Sequence, residues 1–301
     1  MESASRDELF QDFAPGGKYA DIVGIYHEHE SSHKIGLPDR QMVYAFPQSV
    51  KWIAHKGAGY DQFDVVACKE RGIGLSNTPG AVNDATATTA VYLLIATMRN
   101  FSICERSLRA GTFKPPHVER ASHDLTGRTL GILGLGCIGI RFAEMIRPFQ
   151  MRIVYHNRRR AQDAPDYCEY FEDLEKMLRI VDVLSVHVPL TRDTVGFVGE
   201  DMIRAMKPGG IIINTARGKI VDEEAMLRAL EDGHLASVGL DVFPDEPKIN
   251  PRLLQLSNTT LLPHVGTENQ DTRRKMEVKA LTNLKDFVIS GKGQNLVAEC
   301  R

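Results

Sequence analysis

The sequence predicts an α/β fold built on parallel sheets and divided into two domains. Three observations carry this. Short apolar runs alternate with helical stretches along most of the 301 residues, the pattern of parallel strands joined by helical crossovers. Most runs are continuously apolar rather than alternating, so both faces of the sheet need covering helices. A polar stretch at 107–129, SLRAGTFKPPHVERASHDLTGRT, interrupts the pattern and reads as a crossing loop before a new strand. A boundary near residue 101 follows, giving one domain from 1–101 with 272–301 and another from 102–271.

The expected strands are 22–26, 52–55, 129–133, 152–155, 183–187, 210–214, 237–240 and 260–262. Helical patterns lie between them at 84–99, 138–147, 174–180, 201–206 and 223–232, and a long one closes the chain at 270–289. Trp52 opens an apolar run and reads as core. No internal repeat or low-complexity linker appears.

Composition excludes several function classes. With 43% hydrophobic and 25% charged residues and a net charge of −2, no basic excess points to nucleic acid. No apolar stretch is long enough to span a bilayer, and MESASRDELF lacks the plan of a secretory signal. The five cysteines are scattered and form no CxxC, which suits reduced thiols in the cytoplasm. The cluster HEHESSH at 27–33 matches no strong zinc spacing, so no metal is expected.

The strand at 129–133 runs into Gly134-Leu135-Gly136-Cys137-Ile138-Gly139, and a helix pattern follows. This is GxGxxG in its required context, the start of a Rossmann doubly wound sheet. Gly134 permits the tight turn, Gly136 lets a pyrophosphate approach the backbone, and Gly139 lets helix and strand pack closely. The helix N-terminus, with Cys137 and Ile138 in its first turn, adds free N–H groups.

The next strand ends at Tyr155, where an NAD-binding unit would soon place an acid for the ribose 2′-hydroxyl. Here the chain continues His156, Asn157, Arg158, Arg159, Arg160. Arginine pairs with a 2′-phosphate by charge-assisted bonds that a carboxylate would repel. NADP(H) is therefore the expected cofactor, NAD(H) the alternative, and Arg158 the leading contact.

Three polar groups stand beyond later strands. Thr215-Ala216-Arg217-Gly218 follows the run at 210–214, and Arg217 can grip a carboxylate bidentately. Asp241 closes another run, with Glu246 a short loop further on. His264 follows Pro263 after the run at 260–262. A carboxylate beside an imidazole favours the protonated ring, which suits a general acid.

These residues stand among the stretches GAGYDQFD, SNTPGAVNDATA, GLGCIG, HVPLTRDTVGFV, MKPGGIIINTARG, VDEEAMLRALEDG, GLDVFPDEP and LLPHVG, which cover nearly all of 50–285. In this order the chain resembles the D-isomer-specific 2-hydroxyacid dehydrogenases, especially the glyoxylate/hydroxypyruvate reductase branch. The resemblance implies that Arg217, Glu246 and His264 are the catalytic trio. It implies that backbone N–H groups near Ala58 and Gly59 help bind the substrate carboxylate, with Arg217 and His264. It places Thr215, Ala216, Asp241, Gly266 and the His187-Val188-Pro189 turn beside the cofactor. The reaction implied is reduction of a small 2-oxo acid to the D-2-hydroxy acid, in a homodimer.

The resemblance further implies a smaller, flavodoxin-like substrate domain. Relatives begin with two strands and a helix before a segment like YADIVGIYH, and here about twenty residues precede it. The strand at 22–26 is thus expected to have an unpaired edge in an incomplete sheet. Two competing readings are a dinucleotide-sensing corepressor-like protein and an inactive truncated relative.

Overall fold

The structure is a computed structural model that describes residues 3–116, 118 and 122–300. It divides into two compact units, one of 1–82 with 268–301 and one of 83–267. The first division falls earlier than the expected 101, and the second slightly earlier than 271. The reason is the helix Asn83–Met98. Its Ala87, Ala90, Leu93, Leu94 and Met98 are buried in one cluster with Leu130, Ile132 and Phe142, so packing assigns it to the second unit. The helix Phe101–Arg109 continues into the expected crossing loop, of which residues 117 and 119–121 lie outside the described residues.

The second unit is built on seven parallel strands: β4 (Thr129–Leu133), β5 (Arg152–His156), β6 (Cys168–Tyr170), β7 (Val183–Val186), β8 (Gly210–Asn214), β9 (Leu235–Leu240) and β10 (Thr259–Leu261). Their spatial order, β10-β9-β8-β7-β4-β5-β6, reverses direction at β4, the switch point where ligands bind in open α/β sheets. Successive side chains enter opposite faces. Leu130, Ile132, Ile153, Tyr155, Ile211 and Ile213 pack under the helices Asn83–Met98 and Cys137–Ile146. Val154, Leu184, Val186, Ile212 and Val238 pack under the helix Glu223–Glu231 and its neighbours on the other face. This two-sided burial explains why the runs are apolar throughout.

The register fixes the top of the sheet. Leu133 pairs with His156 and Val186, Val186 with Asn214, and Leu240 with Asn214 and Leu261. The strands therefore end side by side, and the residues that follow them form one row: Gly134, Asn157, His187, Thr215 and Asp241.

In the first unit β1 (Gly24–Glu28), β2 (Trp52–Lys56) and β3 (Gly74–Ser76) make a parallel sheet in that order. One face meets Leu9, Phe13, Met42, Val43 and Ala67. On the other, Trp52 stacks on Phe287 of the helix Gln270–Ser290 with ring centroids 5.2 Å apart, and its Nε1 donates to Ser76 Oγ. Among the described residues β1 pairs only with β2, and it starts two residues later than expected.

Candidate active site

The glycine loop leaves β4 through Gly134, whose φ of 99° is the left-handed region that favours glycine. A side chain there would also stand 2.8 Å from the backbone of His187 and Val188, so loop and His187 turn are in direct contact. At Gly139 a Cβ would meet Gly134 O at 2.7 Å, whereas at Gly136 it would meet nothing within 4 Å. Gly136 thus faces open space, and the helix Cys137–Ile146 starts there with no side chain capping its N–H groups.

Asn157 does not stand ready as a free ligand. Its Oδ1 accepts from Leu135 N at 2.6 Å, and its Nδ2 donates to Leu135 O at 3.2 Å. It clasps the glycine loop to the end of β5. Arg158, Arg159 and Arg160 follow at the surface, and among the described residues none of the three has an acidic partner.

His187 donates to or accepts from Ser185 Oγ through Nε2 at 2.8 Å and packs on the Phe142 ring. Burial pulls its pKa down to about 4, so the ring is neutral at pH 7. Next in the row, Thr215 Oγ1 is buried without a hydrogen-bond partner. Buried hydroxyls are normally satisfied. An orphan hydroxyl, an open glycine loop, uncapped helix N–H groups and three exposed arginines together fit a phosphorylated dinucleotide.

Arg217 is set by Asn214, a residue that carries no signal of its own in the sequence. The Asn214 amide donates to Arg217 O at 2.9 Å and accepts from Ala216 N at 2.9 Å. Gly218 then lies so close to the Phe243–Pro244 backbone that any Cβ would collide with it. That contact brings the Arg217 turn against the loop that carries Glu246.

Glu246 Oε1 accepts from Phe243 N at 2.7 Å, and Oε2 accepts from His264 Nδ1 at 2.6 Å. Burial alone would raise the Glu246 carboxyl; the hydrogen bond and charge of His264, the Phe243 N–H and the nearby Arg217 outweigh it and hold the group below its usual value. Because Nδ1 faces Glu246, Nε2 is the nitrogen left to serve a substrate.

His264 has φ 55°, unusual for a residue other than glycine. Asp241 holds it there. The buried Asp241 carboxylate accepts from Val265 N at 2.8 Å and from Gly266 N at 2.9 Å. Burial pushes its pKa up despite these two donors. Asp241, expected beside the cofactor, thus acts on the next two backbone amides after His264. A Cβ at Gly266 would stand 2.8 Å from Asp241 Oδ2.

Val188 lies against Gly134, and Pro189 O accepts from Thr194 Oγ1 at 2.7 Å. Ala58 and Gly59 belong to the other unit, in the loop after β2. Among the described residues no three His, Cys, Asp or Glu side chains gather as metal ligands, and no helix is long and apolar enough to cross a membrane.

Residues 91–266 match the family described as D-isomer specific 2-hydroxyacid dehydrogenase, NAD binding domain. The chain is 39% identical over 304 residues to glyoxylate reductase 1 of Saccharomyces cerevisiae, an alignment that covers 99% of this chain and 87% of the yeast protein. A crystal structure of a glyoxylate reductase from Paecilomyes thermophila superposes with a TM-score of 0.91 at 39% identity, covering 99% of this chain and 90% of that one. An NADPH-dependent glyoxylate/hydroxypyruvate reductase from Sinorhizobium meliloti, solved with NADP and malonate, gives 0.84 at 34% identity, covering 97% and 88%. The chain belongs to the D-isomer specific 2-hydroxyacid dehydrogenase family.

Proposed function

We propose that the protein reduces a small 2-oxo acid to the D-2-hydroxy acid with NADP(H) as the preferred cofactor. The observation that carries this reading is the His264–Glu246 pair, 2.6 Å apart, in the same unit as Arg217 and the glycine loop. When bound, the reduced nicotinamide supplies the hydride to the keto carbon. The glycine loop and the N-terminus of the helix Cys137–Ile146 hold the pyrophosphate, Arg158 with Arg159 and Arg160 takes the 2′-phosphate, and Thr215 and His187 flank the nicotinamide end.

Arg217 grips the substrate carboxylate and polarises the carbonyl. His264 delivers a proton from Nε2 to the carbonyl oxygen as charge builds there. Glu246, kept ionised by the Phe243 N–H, His264 and the nearby Arg217, orients the ring through Nδ1. The corepressor-like reading finds no support among the relatives described above, which carry reductase names.

Two coarser expectations extend this reading. The cofactor-bearing unit pairs with a second copy: the helix Phe101–Arg109 buries no residue, and Phe101, Leu108 and Phe113 are exposed together on that stretch. The protein works in the cytoplasm, in line with five cysteines that are all free thiols.

The direct test is oxidation of NADPH with glyoxylate, hydroxypyruvate and a bulky arylpyruvate, beside a cofactor-binding titration. Turnover with at least one acid is expected, and hydroxypyruvate should give D-glycerate. Binding of NADPH without turnover of any acid would favour the sensor reading instead.

A further inference from the structure

The turn that carries Arg217 grows out of the end of β8, and the Asn214 side chain holds it there. Asn214 is the last residue of that strand and 1% exposed. Its backbone is fixed by register with Val186 on one side and Leu240 on the other, and its carbonyl accepts from Asp241 N at 3.0 Å. The side chain therefore starts from a rigid platform. Its two polar ends reach two different peptide groups. Oδ1 accepts from the N–H of the Thr215–Ala216 peptide, and Nδ2 donates to the carbonyl of the Arg217–Gly218 peptide, each at 2.9 Å.

Those two peptides bracket Ala216 and Arg217. The peptide between them is held from the side-chain end, because its Ala216 O accepts from Nη1 of Arg217 itself at 2.8 Å. A planar peptide leaves φ and ψ as the only soft backbone angles, so fixing the planes fixes the direction in which the Arg217 side chain leaves the chain. Arg217 is extended there, at φ −147° and ψ 140°.

Hydrogen-bond satisfaction alone does not call for this arrangement. Arg217 O also accepts from Ile220 N at 3.2 Å, so it has a partner without Asn214. Ile211, Ile212 and Ile213 precede Asn214 in the strand, and one more apolar residue would avoid the cost of desolvating a buried amide. Serine, threonine or aspartate can also accept from the N–H two residues on; an amide adds a donating end.

We propose that Asn214 is a positioning residue for the reaction: by pinning the two peptides that bracket Ala216 and Arg217, it aims the guanidinium at the substrate carboxylate. This rests on the reading that Arg217 grips that carboxylate. Asn214 itself touches neither substrate, cofactor nor reacting atoms in this scheme.

The test is a double-mutant cycle of Asn214→Ser and Arg217→Ala. Serine keeps an acceptor for Ala216 N, adds no charge, and is too short to reach Arg217 O as well. Two quantities are measured. One is kcat/KM for whichever of glyoxylate, hydroxypyruvate and an arylpyruvate the wild type reduces fastest. The other is the NADPH dissociation constant, by calorimetry. Arg217→Ala should lose on the order of 100-fold in kcat/KM, as for a deleted charge-assisted contact. Asn214→Ser should lose about tenfold, as for a misplaced binding group, with the NADPH constant unchanged. The double variant should be no slower than Arg217→Ala, because a residue that acts through Arg217 then has nothing left to act on.

Three results overturn the proposal while leaving the Arg217 reading intact: losses that multiply to about a thousandfold in the double variant, full activity in Asn214→Ser, or NADPH affinity that falls in step with its kcat/KM. Wild-type kcat/KM in Arg217→Ala, or a wild type that reduces none of the three acids, overturns the carboxylate reading and the proposal with it. If Asn214→Ser does not fold, Asn214→Thr, closer to asparagine in size and favoured in strands, takes its place in the cycle.

Discussion

In the proposed reaction Glu246 is the residue on which the chemistry turns. It accepts from Phe243 N and from His264 Nδ1, so its position and its ionisation come from the same contacts. The sequence made Glu246 legible as an acid in a loop beside Pro247, but not the double acceptor role. Asp241 and Asn157 were legible as polar residues at strand ends. Their partners, the backbone of 265–266 and of Leu135, lie far along the chain or are ordinary amides, which leave no side-chain signal. Asn214 was hidden for a related reason: it ends an apolar run and reads as its last residue.

Arg158 gives the sharpest prediction at this scale. With no acidic partner among the described residues, its charge is available to a dianionic 2′-phosphate. A hydrogen bond to a charged group contributes about 1.5–3 kcal/mol. Arg158→Ala should therefore weaken NADPH about tenfold or more in calorimetry, with NADH changed little. Equal losses for both would show that the arginine run does not read the phosphate.

At the scale of elements, the strong signals in the chain were strands buried on both faces and the glycine loop that follows one of them. These predicted β4, β5, β7 and β8 closely. The short strands β3 and β6, three residues each, are too brief for a periodic signal. The division between units was legible only as a polar interruption. Its position depends on which sheet buries the helix Asn83–Met98, and that is a packing fact that an alanine-rich pattern cannot carry.

The β1–β2 pair has a consequence for stability. Burial, with repulsion from His55 and His29, lowers the pKa of His27 from 6.5 to about 3. A group depressed in the folded state binds its proton more readily when unfolded. Its stabilising effect is complete above about pH 6.5 and is lost as pH falls toward 3. The urea midpoint should fall across that range, and His27→Asn should make the fall shallower. His187, depressed to about 4, keeps some of the slope in the variant. Identical slopes would show that His27 is not held neutral.

For the whole molecule, the proposed pairing would cover the exposed Phe101, Leu108 and Phe113, since exposed apolar side chains are what association sites bury. Light scattering should report twice the 33.5 kDa chain mass; a monomer at micromolar concentration would contradict the pairing.

The account as a whole rests on a proton delivered by His264 to an oxygen that receives charge from hydride transfer. The most direct measurement is single-turnover reduction of hydroxypyruvate by the NADPH complex of His264→Ala beside wild type. General acid catalysis contributes about 10²–10⁴-fold. The variant should bind NADPH normally and lose turnover by that order. Turnover near wild type in the bound complex would contradict the account.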